Sequence, residues 1–240
     1  MRYQLDTIPL WDAYKQGGEC PLCALQERAE QGYAQSFLGE SVMEPAARAA
    51  VNEKGFCGPH FALMFRQKNR LGLALMAHTH LLDVMEDLSR APTAPRRVFG
   101  HPPVSEAGKT AGRRAAACAL CDRLAETMRR YAYTLAHLWA HDAAFCEAFA
   151  QSKGLCLPHM ALAADMAAHA LHGKQLPAFL DALDTVQREN LARLAEEVAW
   201  FTQKFDYRNS EKPWGDSRDA LERAIYRLRG FQRDMSAPQG

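Results

Sequence analysis

Lys54-Gly55-Phe56-Cys57-Gly58-Pro59-His60 recurs in this chain as Lys153-Gly154-Leu155-Cys156-Leu157-Pro158-His159. Each copy follows a Cys-x-Leu-Cys: Cys20-Pro21-Leu22-Cys23 before the first, Cys118-Ala119-Leu120-Cys121 before the second. From Cys23 to Cys57 is 34 positions and from Cys121 to Cys156 is 35. The matched order and spacing mark an internal duplication, which has to be recognised before any fold is assigned. Between the copies, Ala91 to Gly112 holds four prolines and three glycines. Such a stretch predicts a linker, since proline blocks helix continuation and glycine weakens it. The expected division is a first repeat over 1–90, a linker over 91–114 and a second repeat with C-terminal helices over 115–240.

The segments around the motifs read as helix. Leu22, Leu25, Ala29, Tyr33 and Phe37 recur at steps of three and four, a helical stripe from Cys20 to about Gly39. Pro59 to about Arg90 reads as one long helix. In the second half, helices are expected over Ala116 to about Ala140, Asp142–Gln151, Pro158 to about Leu171, Leu176 to about Phe205 and Arg218–Leu228. β-Branched residues are scarce and no alternating run occurs, so a sheet is not expected. The fold class is all-α, a helical bundle built from two tandem helical repeats, each with a metal site of three Cys and one His.

The chemistry follows from where these residues sit. Pro21, Pro59 and Pro158 stand where a helix begins, a position that tolerates the missing N–H. Gly55 and Gly154 stand where an incoming helix ends, a position that commonly needs a left-handed backbone. Each copy therefore supplies two helix N-termini, one bearing two thiols and the other a thiol and an imidazole. Helix N-termini favour thiolates, the form that binds metal. Three cysteines and a histidine form a closed tetrahedral zinc set. The candidate ligands are Cys20, Cys23, Cys57, His60, Cys118, Cys121, Cys156 and His159. Free cysteines also pack as small apolar residues, but duplication of all four positions argues for ligands. Two zinc ions per chain are expected, with [4Fe–4S] clusters as the alternative cofactor, since thiolates suit both. The matched gaps look like one helical excursion out and back. They predict within-repeat sites, Cys20, Cys23, Cys57, His60 and Cys118, Cys121, Cys156, His159, with a swapped arrangement as the alternative.

The remaining features carry less. Cys146 reads as a small packed residue. The pairs His137/His141 and His169/His172 lack a carboxylate companion, and His78 and His80 lie on different helix faces. Lys204, Asp206 and Arg208 read as a helix end, with an anion- or partner-binding patch as the alternative. Phosphate loops, nucleophile elbows and His-Glu-x-x-His are absent. The 29 Lys+Arg against 28 Asp+Glu leave +1, which argues against a nucleic-acid partner. No apolar run spans a bilayer and no secretory signal is visible in MRYQLDTIPLWDAYKQGGEC, so no membrane partner and a cytoplasmic location are expected. There, paired cysteines more often bind metal or do redox work than form disulfides.

CPLC with GFCGPH, repeated as CALC with GLCLPH and followed by Lys204-Phe-Asp-Tyr-Arg-Asn209, resembles a family of uncharacterised bacterial helical proteins. The resemblance runs from about Cys20 to Gly230. It implies a bacterial cytosolic protein with the eight Cys/His positions as its shared signature, and it implies no established activity. Members are sometimes labelled ABC-transporter substrate-binding proteins, a label that calls for a secretory signal and is set aside here. Three functions are in competition: a structural-metal module for interaction or regulation with a protein or small-molecule partner, an iron–sulfur or thiol-based redox protein or sensor, and an enzyme with a pocket between the repeats.

Overall fold

The computed structural model describes residues 6–39, 42–92 and 105–231. Among them are eleven α-helices and no strand: α1 Thr7–Lys15, α2 Pro21–Leu38, α3 Pro45–Lys54, α4 Gly58–Arg66, α5 Arg70–Arg90, α6 Glu106–Ala116, α7 Ala119–His141, α8 Ala143–Ala150, α9 Leu157–Ala170, α10 Gln175–Gln203 and α11 Ala220–Arg229. The all-helical expectation holds, and the repeat is visible as α2-α3-α4 against α7-α8-α9. No described helix is long and apolar enough to cross a membrane.

Two details depart from the sequence reading. The helix expected from Pro59 to Arg90 is broken, because Lys68 takes a φ of 64° and Asn69 caps α5 by accepting from the Gly72 N–H. The segment expected to be a linker contains α6, whose first turn is closed by Ser105 accepting from the Gly108 N–H. A good cap outweighs the two glycines there. Residues 93–104 of that segment lie outside the described residues.

The chain forms two compact units, Met1–Arg28 with Glu126–Gly240, and Ala29–Ala125. Both boundaries fall inside helices, α2 and α7, so the units do not follow the sequence repeats. In the first unit Tyr14 packs edge-on against Phe145, with ring centroids 4.8 Å apart, and Phe149 meets Phe179 at 5.9 Å. In the second, Phe56 lies between Phe37 and Phe61, at 5.2 and 5.5 Å. Each unit thus has its own aromatic core.

Candidate metal centres

Every ligand pair occupies the start of a helix. Cys57 and Cys156 are the N-caps of α4 and α9, and His60 and His159 follow three residues later. Cys20 and Cys118 immediately precede α2 and α7, with Cys23 and Cys121 three residues on. The Cys121 N–H donates to Cys118 Sγ at 3.4 Å, a sulfur acting as helix cap. The cap and the third helical residue face the same side of a first turn, which explains the shared two-residue spacing. Gly55 and Gly154, before the third cysteines, have φ of 61° and 79°, as expected where the chain must turn sharply.

The pairing is the swapped one, and the within-repeat expectation is corrected. Cys20, Cys23, Cys156 and His159 form one cluster, in the first unit; Cys57, His60, Cys118 and Cys121 form the other, in the second. In each cluster the four ligand atoms lie within 4.8 Å of one another. Helix lengths fit this pairing. At 1.5 Å per residue, α2 with 18 residues travels about 27 Å, whereas α3 with 10 returns about 15 Å. The two helices differ in reach by about 12 Å, and α4 begins beside the middle of α2. His60 consequently meets Glu30 rather than Cys23. In the second copy α7 has 23 residues and α8 only 8, the same imbalance.

In the first cluster, Cys23 Sγ is 3.5 Å from Cys156 Sγ, and His159 Nδ1 is 3.5, 3.5 and 3.1 Å from the sulfurs of Cys20, Cys23 and Cys156. In the second, Cys57 Sγ is 3.8 Å from Cys121 Sγ, and His60 Nδ1 is 3.1, 3.3 and 3.4 Å from Cys57, Cys118 and Cys121. Burial differs: Cys20, Cys156 and His159 are buried and Cys23 half-buried, whereas Cys121 is exposed. A cavity of about 230 Å³ adjoins the first cluster, lined by Cys20, Cys23, Glu27 and Tyr226 among others.

Without an ion the groups share protons. Burial opposes a charge on His60, but hydrogen bonds with Cys118 and Glu30 and the nearby thiolates raise it to about 9. Burial likewise opposes a charge on His159, and its bonds with Cys156 and Cys20 raise it to about 9. Burial pushes the Cys118 thiol up, yet hydrogen bonds led by His60 bring it to about 6, while burial and Cys118 raise Cys121. An imidazole must be neutral and a thiol ionised to bind metal. Adding zinc to ion-free protein at pH 7 should therefore release protons, and affinity should fall as pH is lowered. A pH indicator in weakly buffered protein checks this, and uptake without proton release would contradict it.

Supporting residues that the motif reading did not single out complete both centres. His60 Nε2 donates to Glu30 Oε1 at 2.9 Å, and both side chains are buried. A carboxylate behind a histidine fixes its tautomer and orientation. Glu30 had a sequence signal, a charge seven residues after Cys23 and seven before Phe37, on the buried face of the helix. Replacing Glu30 with alanine should weaken metal binding at the second cluster about 10–100-fold and leave the first unchanged, as read by competition with a chromogenic chelator. Equal weakening at both, or none, would remove Glu30 from the site. At the first cluster Arg227, 1% exposed, reaches Glu19 Oε2 at 2.8 Å, the Leu155 carbonyl at 2.7 Å and the Lys153 carbonyl. Gln187 accepts from the Leu155 N–H at 3.1 Å. Neither residue is signalled by the motifs, because both belong to the C-terminal helices outside the repeat.

The other candidates fall elsewhere. Cys146 is half-buried and in neither cluster. His137 and His141 stack at 4.2 Å, and His80 Nδ1 donates to the Asn52 carbonyl. Lys204 is buried, its Nζ donating to the carbonyls of Asn209, Ser210 and Lys212 at 2.7, 2.9 and 2.6 Å, while Arg208 pairs with Asp206. The late Lys-Phe-Asp-Tyr-Arg-Asn segment is thus a self-fastened turn, with Lys204 used internally.

No curated protein and no solved structure matches the chain. One family model does, over residues 1–235, and it extends beyond both clusters to the C-terminal helix that carries Arg227. This chain belongs to the family of unknown function DUF6062.

Proposed function

We propose that each cluster holds one metal ion, zinc first, in a closed tetrahedral Cys3His set, and that the protein is a metal-stabilised helical module for interaction or regulation. The observation that carries this is the spacing of the ligand atoms. Bonds of about 2.3 Å to sulfur and about 2.0–2.1 Å to nitrogen at tetrahedral angles separate two sulfurs by about 3.8 Å and a sulfur from the nitrogen by about 3.5 Å. The sulfur–sulfur distances of 3.5 and 3.8 Å and the sulfur–nitrogen distances of 3.1–3.5 Å lie at those separations or a few tenths of an ångström inside them. All four positions come from the chain, the arrangement of a structural rather than a catalytic ion.

The swap gives such an ion a definite task. Each site takes one ligand pair from each repeat, so an ion would bind distant stretches of chain together, Cys23 to Cys156 across 133 positions and Cys57 to Cys121 across 64. An iron–sulfur cluster is the less favoured reading, because its own irons would have to sit between ligand atoms already within 4.8 Å of one another. Ligand thiols must stay reduced, which favours the cytoplasm. Metal content of anaerobically purified, reduced protein tests the reading. Colourless protein with zinc near two per chain is expected; brown protein with iron and sulfide, or less than one metal per chain, would defeat it.

A further inference from the structure

Helix α5 is apolar on two sides. Leu73 and Met76 are buried, yet Leu71, Leu75, Leu81, Leu82, Met85 and Leu88 are exposed, Leu71 at 72% and Met85 at 65%. Leu71, Leu75, Leu82 and Met85 fall at steps of four, seven and three, with His78 in the gap, the spacing of a seam between paired helices. Phe65, 52% exposed with the Arg70 guanidinium 3.7 Å from its ring centroid, extends the patch. Together these side chains expose apolar area on the order of several hundred Å², the upper end of what monomers leave to water. No described element covers them.

Charge identifies the occupant. Arg66, Lys68 and Arg70 lie at or just before the start of α5, whereas Asp83, Glu86 and Asp87 lie near its end, with Arg90 last. Arg114 already engages Asp87, and Arg90 bonds Glu86 at 2.5 Å. A parallel copy would set the basic ends against each other. An antiparallel copy related by a two-fold axis at His78 places Arg70 opposite Glu86, Leu71 opposite Met85 and Leu75 opposite Leu81. The same patch then serves both partners, as a two-fold contact requires. Twenty-one helical residues span about 31 Å, enough for an interface of ordinary size.

We propose that α5 is a homodimer interface, two copies pairing antiparallel through Leu71, Leu75, Leu81, Leu82 and Met85. Sedimentation of the full chain from about 1 to 100 µM should show concentration-dependent dimers. Leu82→Glu, at an exposed position, should weaken dimerisation by about 30-fold or more with unchanged far-UV dichroism. Arg70→Glu and Glu86→Arg should each weaken it several-fold, and the two combined should restore it, because the reversed charges again oppose across the axis. A wild-type chain that stays monomeric overturns the proposal and leaves the stripe to residues 93–104 or to a different protein. A dimer indifferent to Leu82→Glu overturns it as well, and failure of the double charge reversal to rescue rules out the antiparallel geometry.

Discussion

A chain with Cys23 and Cys156 both changed to serine is expected to lose one zinc ion, whereas a chain with Cys23 and Cys57 both changed is expected to lose two. The first pair of substitutions falls in one cluster, since Cys23 and Cys156 sulfurs are 3.5 Å apart; the second pair falls one in each. Within-repeat sites would reverse both outcomes, so the comparison decides the pairing without a structure. The effect per site is large. Structural zinc binds zinc-finger peptides with about 10–16 kcal/mol, and a site short of one thiolate loses much of that. Stability should follow metal content, with the Cys23/Cys57 variant melting lower than the Cys23/Cys156 variant. Helical content should persist in both, because each unit keeps its own apolar core. Equal zinc loss in the two variants would defeat the swapped assignment.

Arg227→Ala should be the most damaging single substitution away from the ligands. Its guanidinium joins the residue before Cys20 to the segment before Cys156, so the two ligand-bearing stretches of the first cluster are fastened by one side chain. Burial pushes the Glu19 carboxyl up, but Arg193 and Arg227 hold it below its ordinary value. Removing the arginine leaves two carbonyls short of a donor and a carboxylate short of a partner. Breaking a buried ion pair costs about 3–5 kcal/mol, and the lower end is expected here because Glu19 keeps Arg193 at 2.9 Å and Lys153 at 3.5 Å. Arg227→Lys should rescue little, since one compact ammonium cannot reproduce the planar fork in which Nη1 takes the Leu155 carbonyl while Nη2 takes Glu19 and the Lys153 carbonyl. Urea unfolding with zinc content per site is the measurement. The first cluster should lose its ion more readily while the second keeps its own. A variant within about 0.5 kcal/mol of wild type would show that Arg227 merely fills space.

Much of the local structure was legible in the sequence. Proline after Cys20, proline before His60 and His159, and glycine at 55 and 154 mark helix starts and ends through backbone sterics alone. The eight Cys/His positions that gather into two clusters were readable from the duplicated motif, whose spacing puts a cap and the third residue of a helix on one face. What local rules could not supply were the small departures. Asn69 splits a helix that composition joins, Ser105 starts one inside a segment rich in proline and glycine, and Lys204 turns inward onto three carbonyls.

The sequence by itself determined the repeat, the helices, and which side chains stand at helix starts where thiolates are favoured. Only the tertiary structure decided which starts meet. Matched gaps of 34 and 35 residues say nothing about how a gap divides between outgoing and returning helix. Eighteen residues out and ten back, then twenty-three out and eight back, leave each repeat open at its own ligands. At a fixed rise per residue the shorter helix alone does not retrace the longer one, and each half finds its missing pair in the other.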